Sequence, residues 1–233
     1  QTTTLMLNGS GRYEDRWVYL KINPASLCIF TQGIGYLYIA VNHGEGKFFT
    51  DEKPEYVFLP SIKSGSIKAN LASPAEFLYE NLQTQNNVIH SAYRSGVKKL
   101  LYLGATCVYP EDSPQPIKEK CLLTGPLEKT SEAYALAKIA GIKMCQSYNV
   151  QYGTNFIAAI PATLYGPHDS FDPEKSHVLA ALIQKFYEAK KAGQNEITLW
   201  GTGTPEREFL YEDDFARASI FLMENFNPSS DQN

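Results

Sequence analysis

Long apolar runs, paired metal ligands and clusters of one charge are all scarce in this chain of 233 residues, and each scarcity excludes a class of function. The most apolar stretch, residues 27–41, is interrupted by Thr31, Gln32, Gly33 and Gly35 and falls short of the roughly 20 residues that a spanning helix needs, so no direct membrane span is expected. The four cysteines, Cys28, Cys107, Cys121 and Cys145, follow neither a disulfide framework nor a metal-site spacing, which fits a reducing compartment. The four histidines form no pair at ligand spacing, so no metal is expected. Lys and Arg number 21 against 25 Asp and Glu, for a net charge of -4, and no basic stripe marks a nucleic-acid partner. What the chain does have is 43% hydrophobic residues, enough for the core of one large domain or of a domain with a partial lobe.

The apolar pattern alternates between two periods. Residues 3–7 read as a first strand, and residues 16–41, rich in Tyr, Ile, Leu and Phe, read as strands and not as helix. Residues 55–59 and 99–103 are short apolar runs of the kind buried in parallel sheets. Residues 74–95 have helical periodicity, with Phe77, Leu78, Leu82, Val88, Ile89 and Ala92 facing inward. A helix carrying Tyr134 runs to about Tyr152; residues 155–160 and 196–200 read as strands, and residues 176–192 and 213–224 as helices. Strands alternating with helices define an α/β fold, a Rossmann-like doubly wound parallel sheet. Its core is expected over residues 1–165, with a partial substrate lobe over residues 166–233.

Chemistry enters with the run Thr130-Ser-Glu-Ala-Tyr-Ala-Leu-Ala-Lys138-Ile-Ala-Gly141. Tyr134 and Lys138 lie four apart, on one helical face. A cation beside a phenol favours the phenolate, pulling its pKa down from about 10 and fitting it to exchange a proton with a carbinol oxygen. The pair alone is common by chance. Its setting is not: the strand at residues 99–103 opens into Gly104-Ala-Thr-Cys-Val-Tyr-Pro110, and open parallel sheets bind ligands beyond the carboxyl ends of their strands.

This strand, loop and helix resemble the extended short-chain dehydrogenases/reductases. The ordered motifs Gln115-Pro-Ile-Lys-Glu119, Leu122-Leu-Thr-Gly-Pro-Leu-Glu128, Tyr134 to Lys143, Leu164-Tyr-Gly-Pro167, Ser176-His-Val178, Trp200-Gly-Thr-Gly-Thr-Pro205 and Arg207-Glu-Phe-Leu210 narrow the resemblance to the GDP-L-fucose synthases. These are NADPH-dependent enzymes that epimerise and reduce GDP-4-keto-6-deoxy-D-mannose. The resemblance implies NADP(H) as cofactor and a GDP-sugar as substrate. By the same resemblance Tyr134 protonates the C4 oxygen, Lys138 holds the nicotinamide ribose, and Cys107 with His177 serves the epimerisation at C3 and C5. A working thiolate there requires the Cys107 pKa to fall below about 8.5. Lys185, Trp200 and Arg207 fall on sugar-nucleotide positions, and Pro161, Thr163 and Leu164 on a cofactor loop. A homodimer through the helices at residues 74–95 and 134–152, or a place in a heteromeric complex, is implied, as is a cytoplasmic location, or an organellar one within a larger assembly.

The sequence departs from the family pattern in five respects. Ala105 stands where a serine is expected to hydrogen-bond the reacting oxygen, and if the segment is extended, Ala105 and Cys107 share one face with Thr106 on the other. Aligned on Gly11, the dinucleotide fingerprint reads Asn8, Gly11, Glu14, with Gly9 out of step, so Gly9 and Gly11 are what remains of the phosphate cradle. Pro60 follows the strand at residues 55–59, and Thr163 replaces an asparagine. The end at Asn233 falls short of the family's substrate lobe. Two readings follow: a GDP-sugar epimerase/reductase, or a catalytically inactive relative retained as a structural subunit.

Overall fold

A computed structural model describes residues 5–6, 14–21, 36–43, 47–48, 54–60, 63–167, 169–171, 176–199, 201–204 and 206–228. The centre of the fold is a parallel sheet of three strands, β5 (Tyr56–Leu59), β6 (Lys99–Leu103) and β7 (Phe156–Ala159), in the order β5-β6-β7. Each strand is joined to the next through a crossover helix: α2 (Pro74–Arg94), preceded by the short α1 (Ile67–Ala72), and then α3 (Glu132–Tyr152). Apart from Lys99 at the start of β6, Tyr-Val-Phe-Leu, Lys-Leu-Leu-Tyr-Leu and Phe-Ile-Ala-Ala are mostly apolar because both faces of such a sheet are covered.

Residue alternation sorts the two faces. Val57, Leu59, Leu100, Tyr102 and Phe156 point toward α2 and α3, where Val88, Ile89, Ala92, Ile139, Ile142 and Cys145 complete the main core. Leu101, Ile157 and Phe58 point the other way, against Leu222 and Met223 of α5 (Glu212–Asn225). α2 starts at a proline, whose missing N–H costs nothing at a helix start, and α3 ends on Gly153 at φ 65°, a left-handed cap that glycine adopts without strain. Lys99 donates from Nζ to the Met223 carbonyl at 2.7 Å, tying the foot of α5 to the sheet. Burial lowers the pKa of this ammonium. β8 (Thr163–Tyr165) pairs in parallel with β9 (Phe209–Tyr211), and α4 (Val178–Lys191) lies between them in sequence.

The amino-terminal strands are of another kind. β2 (Glu14–Lys21) and β3 (Tyr36–His43) pair antiparallel over their full length, Glu14 opposite His43 and Lys21 opposite Tyr36, and β1 (Leu5–Met6) pairs antiparallel with β4 (Lys47–Phe48). The reading of residues 16–41 as strands holds for the described part, and the reading of the whole fold as parallel does not extend to it. Residues 196–199 are not a strand, against expectation, because among the described residues no strand pairs with them. β8, β9 and α1 are too short to leave a periodic signal in the sequence. No described helix is long and apolar enough to cross a membrane, and no group of metal-ligating side chains occurs among the described residues.

Candidate active site

The loops after β5, β6 and β7 open at one end of the sheet, and α3 brings its first turns to that end. Tyr134 sits half-buried in the first turn of α3, its ring edge-on to Phe77 of α2 at a centroid distance of 6.2 Å. One turn on, Lys138 is fully buried. Its Nζ lies 5.7 Å from the centre of the Tyr134 ring and 5.0 Å from that of Tyr102, and donates to the Leu103 carbonyl, the last of β6, at 2.7 Å. Burial pushes the ammonium down to about 8, with the thiol of Cys107 nearby opposing the shift.

The position of α3 is set by a polar network that sequence reasoning missed. Gln85 donates from Nε2 to the Ala137 carbonyl at 2.7 Å and accepts from the Tyr102 hydroxyl at 2.8 Å; the same hydroxyl reaches the Lys138 carbonyl at 3.4 Å. Burial drives the Tyr102 phenol far above its ordinary range, so it stays a donor. Gly141 lets α3 lie on this ring: a Cβ there would fall 2.3 Å from Tyr102 Cζ. The signal was present at Gln85, which shares the inward stripe of α2 with Val88, Ile89 and Ala92, and a buried amide on an apolar stripe requires partners.

Cys107 lies in a single 3₁₀ turn, Thr106–Val108, that begins as soon as Ala105 ends the extended segment at φ -151°. The expected alternation of Ala105, Thr106 and Cys107 is therefore replaced by a turn, although Thr106 is indeed exposed and Cys107 half-buried. The thiol does not move in the expected direction. Burial pushes it up to about 11, outweighing its backbone hydrogen bond, the Lys138 charge and a hydrogen bond with Ser131. In this state Cys107 carries its proton at neutral pH. Site-resolved alkylation by iodoacetamide should accordingly be about 10²-fold slower at Cys107 than at a free thiol at pH 7, and its rate should keep rising through pH 9. A plateau below pH 9 would show a thiolate instead.

Glu128 fixes the entrance to α3. Its carboxylate accepts from the Thr130 amide at 2.9 Å, the Thr130 hydroxyl at 2.5 Å and the Ser131 hydroxyl at 3.1 Å. Burial raises its pKa, and these hydrogen bonds bring it below the ordinary value. The loop after β5 is pinned by Asn81, which accepts from the Lys63 amide at 3.2 Å and donates to its carbonyl at 3.0 Å. Lys63 itself pairs with Glu76 and Glu80 on α2.

The remaining expected residues are less gathered. Pro161, Thr163 and Leu164 are half-buried just beyond β7, with the Thr163 amide donating to the Glu208 carbonyl at 3.2 Å. His177 is exposed at the N-cap of α4, and among the described residues no hydrogen bond joins it to Cys107 or Lys138. Lys185 is exposed and donates to the Thr198 carbonyl; Arg207 is exposed and donates to the neighbouring Glu206 carbonyl at 2.8 Å. Trp200, Gly9 and Gly11 lie outside the described residues.

A phenol, a buried amine and a thiol at the carboxyl end of a parallel sheet, with helices on both faces, define the Rossmann-like class of α/β folds. The chain belongs to the NAD dependent epimerase/dehydratase family, whose model matches residues 45–232. Residues 1–59 match a second model, that of the CobB/CobQ-like glutamine amidotransferase domain. GDP-L-fucose synthase 1 of Arabidopsis thaliana is 56% identical over 180 residues, covering 77% of this chain and 56% of that protein. The GDP-L-fucose synthase of Escherichia coli strain K12 is 50% identical over 177 residues, covering 76% and 55%. Among solved structures, a GDP-L-fucose synthetase from Naegleria fowleri bound to NADP matches with a TM-score of 0.68 at 34% identity, covering 76% of this chain and 57% of that one. A GDP-mannoheptose C4 reductase from Campylobacter jejuni with NADP bound matches at 0.69 and 39% identity, covering 78% and 64%. The chain thus spans a little over half the length of these curated relatives. Nothing in these likenesses favours an accessory-subunit role.

Proposed function

We propose that this chain carries the reacting half of a GDP-sugar epimerase/reductase of the GDP-L-fucose synthase type, acting on GDP-4-keto-6-deoxy-D-mannose. The observation that carries the reading is the placement of Tyr134 and Lys138 one turn apart at the end of β6, with Cys107 opposite them in the turn that follows that strand. Identities of 50% to 56% with named GDP-L-fucose synthases supply the substrate class.

In this reading Cys107 exchanges a proton with the sugar carbons next to the ketone. A thiol protonated at rest suits it to give a proton to one face, and the approach of Lys138 lowers the cost of taking one back. His177, at the N-cap of α4, would serve as its partner by the resemblance. Tyr134 gives a proton to the C4 oxygen, and Lys138 keeps a positive charge beside the phenol. The Leu103 carbonyl and the Tyr102 ring orient Lys138, so the cation is held in place before substrate arrives. The same buried ammonium fits a nicotinamide ribose as a hydrogen-bond donor, and half-buried Pro161 with Thr163 and Leu164, which lie in β8 and not in the expected loop, fits as a wall beside it. Reduced nicotinamide supplies the hydride when it is bound. Lys185, Trp200 and Arg207 would meet the sugar nucleotide, with Arg207 available for its diphosphate.

The proton exchange is open to a test without nicotinamide. In deuterated buffer, the keto-sugar nucleotide should take up deuterium at C3 and C5 in the presence of this chain, as read by mass spectrometry, and Cys107→Ala should suppress the uptake. Label uptake no faster than in buffer alone would end the proposal.

A further inference from the structure

A dinucleotide has two ends, and this fold is built for one of them. In a doubly wound sheet with strand order 3-2-1-4-5-6, each half binds one mononucleotide, and the pyrophosphate sits on a glycine turn that follows strand 1 and opens a helix. The sheet here, in order β5-β6-β7 with a crossover helix after each of the first two strands, has the connectivity common to both halves, and the segment after β5, Pro60-Ser-Ile-Lys-Ser-Gly-Ser66, has no glycine fingerprint, which assigns the sheet to the second half. The place of strand 1 is then the outer edge of β5. The element whose backbone runs beside β5 is β3, one arm of the antiparallel hairpin β2–β3. Gly11 is followed from Glu14 by strand β2, where the fingerprint requires the first turn of a helix. Residues 54–233 contain no Gly-x-Gly-x-x-Gly. The family match itself begins only at residue 45, and residues 1–59 match the glutamine amidotransferase model. The residue pattern, the strand pairing and the family boundary agree: the described residues ahead of β5 form antiparallel strands and not the βα unit that cradles a pyrophosphate.

We infer that this chain discriminates only the nicotinamide-ribose end of NADPH, and that the 2′-phospho-ADP end gains nothing from it, because an antiparallel hairpin stands where the glycine turn and its helix should be. The inference rests on the reading of Tyr134 and Lys138 as the nicotinamide side of the site. Nicotinamide mononucleotide is then as good a ligand as the dinucleotide. The apparent loss of the fingerprint glycines is a change of module and not point-by-point erosion within one.

Equilibrium titrations of the whole chain with NADPH and with reduced nicotinamide mononucleotide, followed by nicotinamide fluorescence, decide it. The two dissociation constants are expected within about threefold of each other, less than 1 kcal/mol apart, and 2′-phospho-ADP-ribose should displace neither. NADPH binding more than about tenfold tighter than the mononucleotide, or displacement by 2′-phospho-ADP-ribose, overturns the inference. Binding of neither nucleotide at millimolar concentration overturns its nicotinamide part. The deuterium exchange described above uses no nicotinamide, so its failure is a separate result.

Discussion

Tyr134→Phe is expected to lower single-turnover reduction of the keto-sugar by about 10²–10⁴, the range for losing a positioned proton donor. The ring is held by its edge-on contact with Phe77 and by Lys138 above it, and phenylalanine keeps both. The change therefore removes the hydroxyl and leaves these two ring contacts in place. Ala105 makes the effect larger, since that side chain has no hydroxyl to share the developing charge on the oxygen. Deuterium exchange at C3 and C5 should continue in the same variant, because it runs through Cys107. The measurement is single-turnover reduction at saturating reduced nicotinamide mononucleotide, set beside that exchange. A loss below tenfold in reduction, or an equal loss in both reactions, would remove Tyr134 from its role.

Gly141→Ala should be the most damaging small substitution in the described core. Two effects oppose each other. Alanine in a helix interior is favoured over glycine by about 1 kcal/mol. Against that, the new methyl would lie 2.3 Å from Tyr102 Cζ and 2.4 Å from its hydroxyl oxygen. Overpacking of this kind costs roughly 1–3 kcal/mol, and more where the neighbour cannot move. Tyr102 is fully buried and its hydroxyl is committed to Gln85, so it has nowhere to go. The net expectation is a loss of about 2 kcal/mol, read as a lower midpoint in urea. Tyr102→Leu in the same chain should recover part of it. A midpoint unchanged or raised by Gly141→Ala would show that α3 stands farther from β6 than the structure has it.

Local chemistry made part of this legible in advance. Three short apolar runs and one amphipathic one name the strands and α2, and the four-residue spacing of Tyr134 and Lys138 places both groups on one face of α3. What holds them there was not legible. Gln85, the Tyr102 hydroxyl and the Leu103 carbonyl come from three elements, and their meeting depends on long-range packing that no local spacing encodes. The direction of the Cys107 shift was misjudged for the same reason: desolvation depends on what covers the thiol, and sequence shows only its neighbours. Residues 8–14 were aligned to a fingerprint on one glycine, and β2 shows how little a single glycine fixes without the helix that should follow it.

The outer margin of β5 carries a last consequence, for handling the protein. Among the described residues its ladder partner is β6 alone, with β3 running alongside but not laddered to it, and Tyr56 is 40% exposed. A margin without ladder bonds is a template for self-association unless another element covers it, as β3 does here. Two features blunt it: the strand is only four residues long, and Pro60 follows at once, offering no N–H to extend the ladder. Pro60, one of the departures from the family pattern, thus also stops the β5 ladder from lengthening at this end.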